Sequence, residues 1–135
     1  MVLVDSSVWI NYFNGQVTWH TEILDQMLLQ IPVLTGDLIL TEVLQGFKND
    51  KDYRKARECM SILPCKQMGG YDLAIKSAGN YRKLRKKGIT VRKNIDIIIG
   101  TFCINENIPL LHDDKDFEPM SEHLSLKTIS QSIVH

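Results

Sequence analysis

The sequence predicts an α/β fold, with a mostly parallel central sheet covered by helices on both faces. Short apolar runs ("VLVD", "IPVLT", "IPLLH") alternate along the chain with longer segments whose apolar residues recur at helical spacing. Strands separated by helices need crossover connections, which are right-handed and bury the sheet on both sides. Size agrees: 135 residues is a common length for one domain, so a single core over residues 1–135 is expected.

Local pattern supports each element in turn. "VLVD" is a short buried strand ending at Asp5, with Ser6 or Ser7 placed to cap a helix through "VWINYF". In "TEILDQMLLQ", Ile23, Leu24, Met27 and Leu28 share a helix face, and "IPVLT" follows as a second strand. From Asp37, the residues Ile39, Leu40, Val43, Leu44 and Phe47 make one stripe, and Glu42 lies about 60° beyond its edge at ~100° per residue. A helix from about Asp50 is stopped by Pro64, "CKQM" reads as a short strand, and a helix from Asp72 ends at Gly88. In "NIDIIIGTFCINEN", Ile95, Ile98, Ile99, Phe102 and Cys103 form a stripe flanked by Asp96, with Asn94 as cap. "IPLLH" is a strand, the acids after it form a loop, "PMSEHL" is a short helix and "SLKTIS" an edge strand.

Composition narrows the function classes. Hydrophobic residues at 44% and charged residues at 24% exclude a disordered or fibrous chain. The N-terminus lacks the basic and long apolar regions of a signal peptide, and no apolar run approaches the ~20 residues of a membrane span. Cys59, Cys65 and Cys103 are odd in number and lack metal-type spacing, so a reducing cytoplasm is the expected location, with no membrane partner. Sixteen basic and sixteen acidic residues cancel. Their distribution does not, because "YRKLRKKGITVRK" holds Arg82, Lys83, Arg85, Lys86, Lys87, Arg92 and Lys93 without an acid. That run reads either as a solvated helix end or as a phosphate-binding surface.

The acids carry the chemistry. Asp113, Asp114 and Asp116 crowd the end of a strand, where carboxylates repel by up to ~4 kcal/mol per 4 Å pair at an effective dielectric of about 20. Such crowding calls for a solvated loop or a bound cation. Asp5 ends another strand, and ligands of open α/β sheets bind beyond the strands' carboxyl ends. A lone Asp after a strand is usually a turn or cap residue. An EF-hand loop from Asp114 fails, because Pro119 stands where Gly is required and Ser125 where a bidentate Glu is required. A haloacid-dehalogenase-type phosphatase would need Asp where Ser7 stands. His20, His112, His123 and His135 show no pairing that points to imidazole catalysis. Trp9, Tyr12, Phe13 and Trp19 have the spacing of core or interface residues rather than of a base-stacking platform.

Taken in order, "VLVDSSVWI", "LTEVLQG", "IDIIIG" and "LLHDDKDF" make the chain resemble a PIN-domain ribonuclease, more narrowly a VapC-type toxin of a toxin–antitoxin pair. The resemblance spans nearly the whole chain. It implies a PIN-like three-layer α/β/α fold and a Mg²⁺- or Mn²⁺-dependent endoribonuclease. It places the catalytic acids at Asp5, Glu42, Asp96 and Asp114, and the metal ligands at Asp5, Asp96, Asp114 and Asp116. The supporting hydroxyl falls on Ser6 or Ser7. His112 stands where the family usually has Thr or Ser. RNA is the implied substrate, for which the phosphate-binding reading of the basic run offers Arg82, Arg85, Lys86, Lys87, Arg92 and Lys93 as contacts, and the implied partners are a VapB-type antitoxin and a second copy of the chain. The rival expectation is a binding module whose acidic cleft recruits a basic segment without chemistry.

Overall fold

The computed structural model describes residues 1–131, so the expectation for His135 lies outside the described residues. Four strands form the sheet: β1 (Val2–Val4), β2 (Val33–Gly36), β3 (Cys65–Lys66) and β4 (Leu110–Leu111). Their order is β3-β2-β1-β4 and every pairing is parallel, with Val2 opposite Val33 and Val4 opposite Leu111. All of β1 is buried, which explains its unbroken apolar run. The helices are α1 (Ser6–Phe13), α2 (Trp19–Gln30), α3 (Asp37–Gln45), α4 (Asp50–Ser61), α5 (Tyr71–Lys86), α6 (Asn94–Glu106) and α7 (Glu118–His123). A 3₁₀ turn, Lys115–Phe117, precedes α7.

The helices flank the sheet in two packed groups. In one, α1 meets α2 and α3, and α3 meets α4; in the other, α5 meets α6 and α7. Trp9 is buried and stacks on Phe13 with ring centroids 5.8 Å apart, so these aromatics serve the core as expected. Gly88, at φ 79°, closes α5: its N–H donates to the Arg85 carbonyl while the Ile89 N–H reaches the Leu84 carbonyl. Gly100 has a different task. A Cβ there would run into the sulfur of buried Met120, so α6 and α7 approach as closely as only glycine permits.

Several local expectations change. The cap of α1 is Asp5, whose side chain accepts from the Ser7 N–H, rather than either serine. Lys93 occupies the cap position of α6 without a side-chain cap bond, and Asn94 is already helical. "CKQM" pairs only through Cys65–Lys66, because the Met68 N–H turns to Asp37 Oδ1 and two positive-φ glycines, Gly69 and Gly70, follow. "SLKTIS" gives one parallel bridge, Leu110 to Thr128, in place of a strand, since the two-residue β4 offers no longer ladder. Among the described residues no helix is long and apolar enough to cross a membrane.

Candidate metal centre

The strand order reverses at β1, which has β2 on one side and β4 on the other. A crevice opens at such a switch point beyond the strands' carboxyl ends. Asp5 enters it directly from β1: its backbone N–H still donates to the Leu111 carbonyl (2.9 Å), so the sheet holds its main chain while the side chain leaves the edge. Asp5 Oδ2 accepts from the Ser7 N–H (3.0 Å) and the Ser7 hydroxyl (2.6 Å). Its Oδ1 is buried and has no hydrogen-bond partner. One oxygen therefore caps a helix and the other is left for something else.

Ser6 and Ser7 tie three elements together. The Ser6 hydroxyl donates to Glu42 Oε1 on α3 (3.0 Å), and Ser7 Oγ accepts the Asp113 N–H from the loop after β4 (3.0 Å). That loop carries Asp114, which opens the 3₁₀ turn by accepting the Asp116 N–H at Oδ1 (2.9 Å). Asp96 comes from the first turn of α6 and is only 2% exposed, deeper than the edge of a helical stripe implied. Asp96, Asp114 and Asp116 each place a carboxylate oxygen within 4.8 Å of the other two. Asp116 thus stands in one group with Asp96 and Asp114, while Asp5 and Glu42 lie outside it.

The electrostatics follow from burial and like charge. Burial, then the charges of Asp5 and Asp114, pushes the Asp96 carboxyl up to about 8. Burial likewise raises Asp5 and Glu42 above the usual carboxylate range. Burial opposes ionisation of Asp114 too, but the Lys93 ammonium, the Asp116 N–H and Asp96 together hold it below that range. Lys93 Nζ lies 2.8 Å from Asp114 Oδ2 and 3.9 Å from Asp96 Oδ2, while Arg92 Nε lies 3.9 Å from Asp116 Oδ1.

The two bases at the end of the basic run therefore reach the acids. Arg82, Arg85, Lys86 and Lys87 instead sit on or just beyond the last turns of α5, without an ion pair among the described residues, and Arg85 lies over the Tyr81 ring. His112 is a main-chain anchor: its Nδ1 accepts the Asp114 N–H (3.2 Å), its ring packs on Phe117, and burial lowers its pKa. No sequence signal pointed to His20, which stacks on Trp19 with its Nδ1 3.7 Å from Asp113 Oδ2.

The donor set fits a hard divalent cation. Three buried oxygens, Asp5 Oδ1, Asp96 Oδ2 and Asp116 Oδ2, lack hydrogen-bond partners, a costly arrangement without a cation or protons to share. Mg²⁺ and Mn²⁺ favour such oxygen ligands. The nearby Cys103 is held as a neutral thiol, its pKa pushed up to about 12 by burial and then by Asp5, so no thiolate competes.

Residues 2–122 match the PIN domain family. The chain belongs to that family. This PIN domain is 25% identical over 132 residues to ribonuclease VapC11 of Mycobacterium tuberculosis, with 96% of this chain and 98% of that protein covered. Its fold resembles VapBC2 of Rickettsia felis, solved bound to a promoter DNA fragment (TM-score 0.76, 15% identity, 96% and 98% of the chains covered). It also resembles M. tuberculosis VapC20, a toxin that cleaves the sarcin–ricin loop (TM-score 0.65, 15% identity, 87% and 93% covered). The resemblance carried by the four acidic motifs is borne out, as is the PIN-like α/β fold.

Proposed function

We propose that this PIN domain is a metal-dependent endoribonuclease, the toxin half of a VapC-type toxin–antitoxin pair. The observation that carries the reading is the set of buried, partnerless carboxylate oxygens at the sheet's switch point, on residues in the family's order. Asp96, Asp114 and Asp116 would hold Mg²⁺ or Mn²⁺, with Asp5 Oδ1 beside them. When bound, the ion lowers the pKa of a water and neutralises charge on the scissile phosphate.

The chain's own residues do the rest. Ser7 fixes Asp5 and the Asp113 main chain in one geometry, so the strand end and the acidic loop move as a unit. Ser6 holds Glu42 by Oε1, leaving Oε2 to take a proton from water, and a raised pKa suits that carboxylate to the task. His112 seats the Asp114 main chain. Arg92 and the cations of α5 offer a path for the RNA backbone. Likeness to VapBC complexes supports an antitoxin as the protein partner.

Purified protein with a single-stranded RNA is the test. Cleavage with Mn²⁺ or Mg²⁺, its loss in chelator and in Asp5→Asn, and products ending in 3′-hydroxyl and 5′-phosphate are expected. Metal-independent cleavage, or cyclic-phosphate ends, would refute the reading.

A further inference from the structure

Lys93 is misplaced for a residue of a solvated basic surface. Its side chain is 56% exposed along its length, yet its ammonium turns inward to Asp114 Oδ2 at 2.8 Å and stands 3.9 Å from Asp96 Oδ2. Both acids belong to the group whose oxygens converge within 4.8 Å. Asp96 Oδ2 has no hydrogen-bond partner, so the ammonium approaches it without satisfying it. The anchor is short, because Lys93 is the residue immediately before α6 and Asp96 lies in that helix's first turn. Its backbone supports this placement: the Lys93 carbonyl accepts the Asp96 N–H (3.1 Å), which fixes the distance between the two.

We propose that Lys93 is a tethered counter-ion, its ammonium seated among the metal-binding carboxylates while they hold no divalent ion and displaced when one binds. The proposal rests on the metal-centre reading above and adds a residue that opposes loading. A monovalent ammonium offsets part of the negative charge of the cluster, through its 2.8 Å contact with Asp114 and its 3.9 Å approach to Asp96. It cannot satisfy all three acids, because an ammonium has three donors on one point and reaches only one oxygen at hydrogen-bond distance here. A divalent ion, taking several oxygens at once, is the better fit and wins the exchange. Displacement costs the ion the Lys93–Asp114 contact, so metal affinity is set lower than the carboxylates alone would give. The released ammonium is then free for a phosphate oxygen of the RNA. No covalent step is involved.

The experiment compares wild type, Lys93→Met and Lys93→Arg as intact proteins, measuring Mn²⁺ affinity by calorimetry and melting temperature in chelator and in saturating Mn²⁺. Lys93→Met should bind Mn²⁺ about tenfold more tightly, the scale expected for removing one partly screened charge beside the ligands. It should also melt below wild type in chelator but at or above wild type in Mn²⁺. Lys93→Arg should stay close to wild type in affinity. Equal losses of melting temperature in both conditions would make Lys93 a structural residue of the helix start and overturn the proposal. So would unchanged or weaker Mn²⁺ binding by Lys93→Met while wild type binds the ion normally. Absence of any Mn²⁺ response in wild type would instead overturn the metal centre itself, and the proposal with it.

Discussion

Asp96→Asn should raise the stability of the metal-free protein while abolishing its metal response. Burial and the charges of Asp5 and Asp114 push the Asp96 carboxyl up to about 8. A carboxyl with a raised folded pKa takes up protons on folding. Its contribution is complete below the unfolded pKa and is lost as pH climbs through the folded value. Against an unfolded pKa near 3.9, the penalty at pH 7 is about 4 kcal/mol, from roughly three pH units at 1.36 kcal/mol each. The amide must replace the hydrogen bond that the protonated carboxyl shares with Asp114, a loss of about 1–2 kcal/mol. A net gain of about 2 kcal/mol corresponds to a melting temperature roughly 5–10 °C higher in chelator at pH 7.

The gap should shrink steadily as pH falls toward 4, where the wild-type carboxyl is protonated in the folded state and about half protonated in the unfolded one. Saturating Mn²⁺ should reverse the order, as wild type gains about 2.7 kcal/mol at a hundredfold excess over Kd and the variant gains little. Differential scanning calorimetry across pH 4–8, with chelator and with Mn²⁺, reads all of this. A variant that melts below wild type in chelator at pH 8, or a gap independent of pH, would show that Asp96 is a structural cap and not a ligand.

Other perturbations probe the surroundings. Neutralising Arg85, Lys86 and Lys87 together should flatten the salt dependence of RNA binding by roughly 0.7 in slope per lost phosphate contact, and an unchanged slope in a folded variant would leave them a solvated helix end. A single 2′-deoxy nucleotide on the 5′ side of the cut should slow cleavage by no more than about tenfold, the worth of one hydrogen bond; complete dependence on that hydroxyl, scored by gel assay, would point away from water as the nucleophile. Gly100→Ala should cost about 1–3 kcal/mol in denaturant unfolding by forcing Met120 aside, and a neutral result would mean that α7 seats loosely.

Most of the fold was legible because its signals are local. Apolar runs marked β1, β2 and β4, and stripes at helical spacing marked α2, α3 and α6. Strand ends and stripe edges also located Asp5, Glu42, Asp96 and Asp114. What escaped depends on contacts between distant residues. Asp96 looked like a border residue from its helix alone, but the loop after β4 and the 3₁₀ turn close over it. The basic run read as one surface, yet the turn at Gly88 separates the α5 cations from Arg92 and Lys93, which bend back to the acids. His20 reaches Asp113 only through the packing of α2, and no spacing in the chain announces it. The capping serine was misassigned because an Asp at a strand end competes equally well for the same N–H.

The pairing of β1 with β4 joins Leu3 to Leu110 and Val4 to Leu111, residues far apart along the polypeptide. A ribosome translating this chain at about 5–20 residues per second releases Asp5 many seconds before the segment bearing Asp114 and Asp116 leaves the exit tunnel. Until then β1 lacks one neighbour and the carboxylates have not been brought together. A nascent chain that stalls before β4 therefore carries no assembled centre, and Asp5 waits as a lone carboxylate until the loop bearing Asp114 and Asp116 has been added.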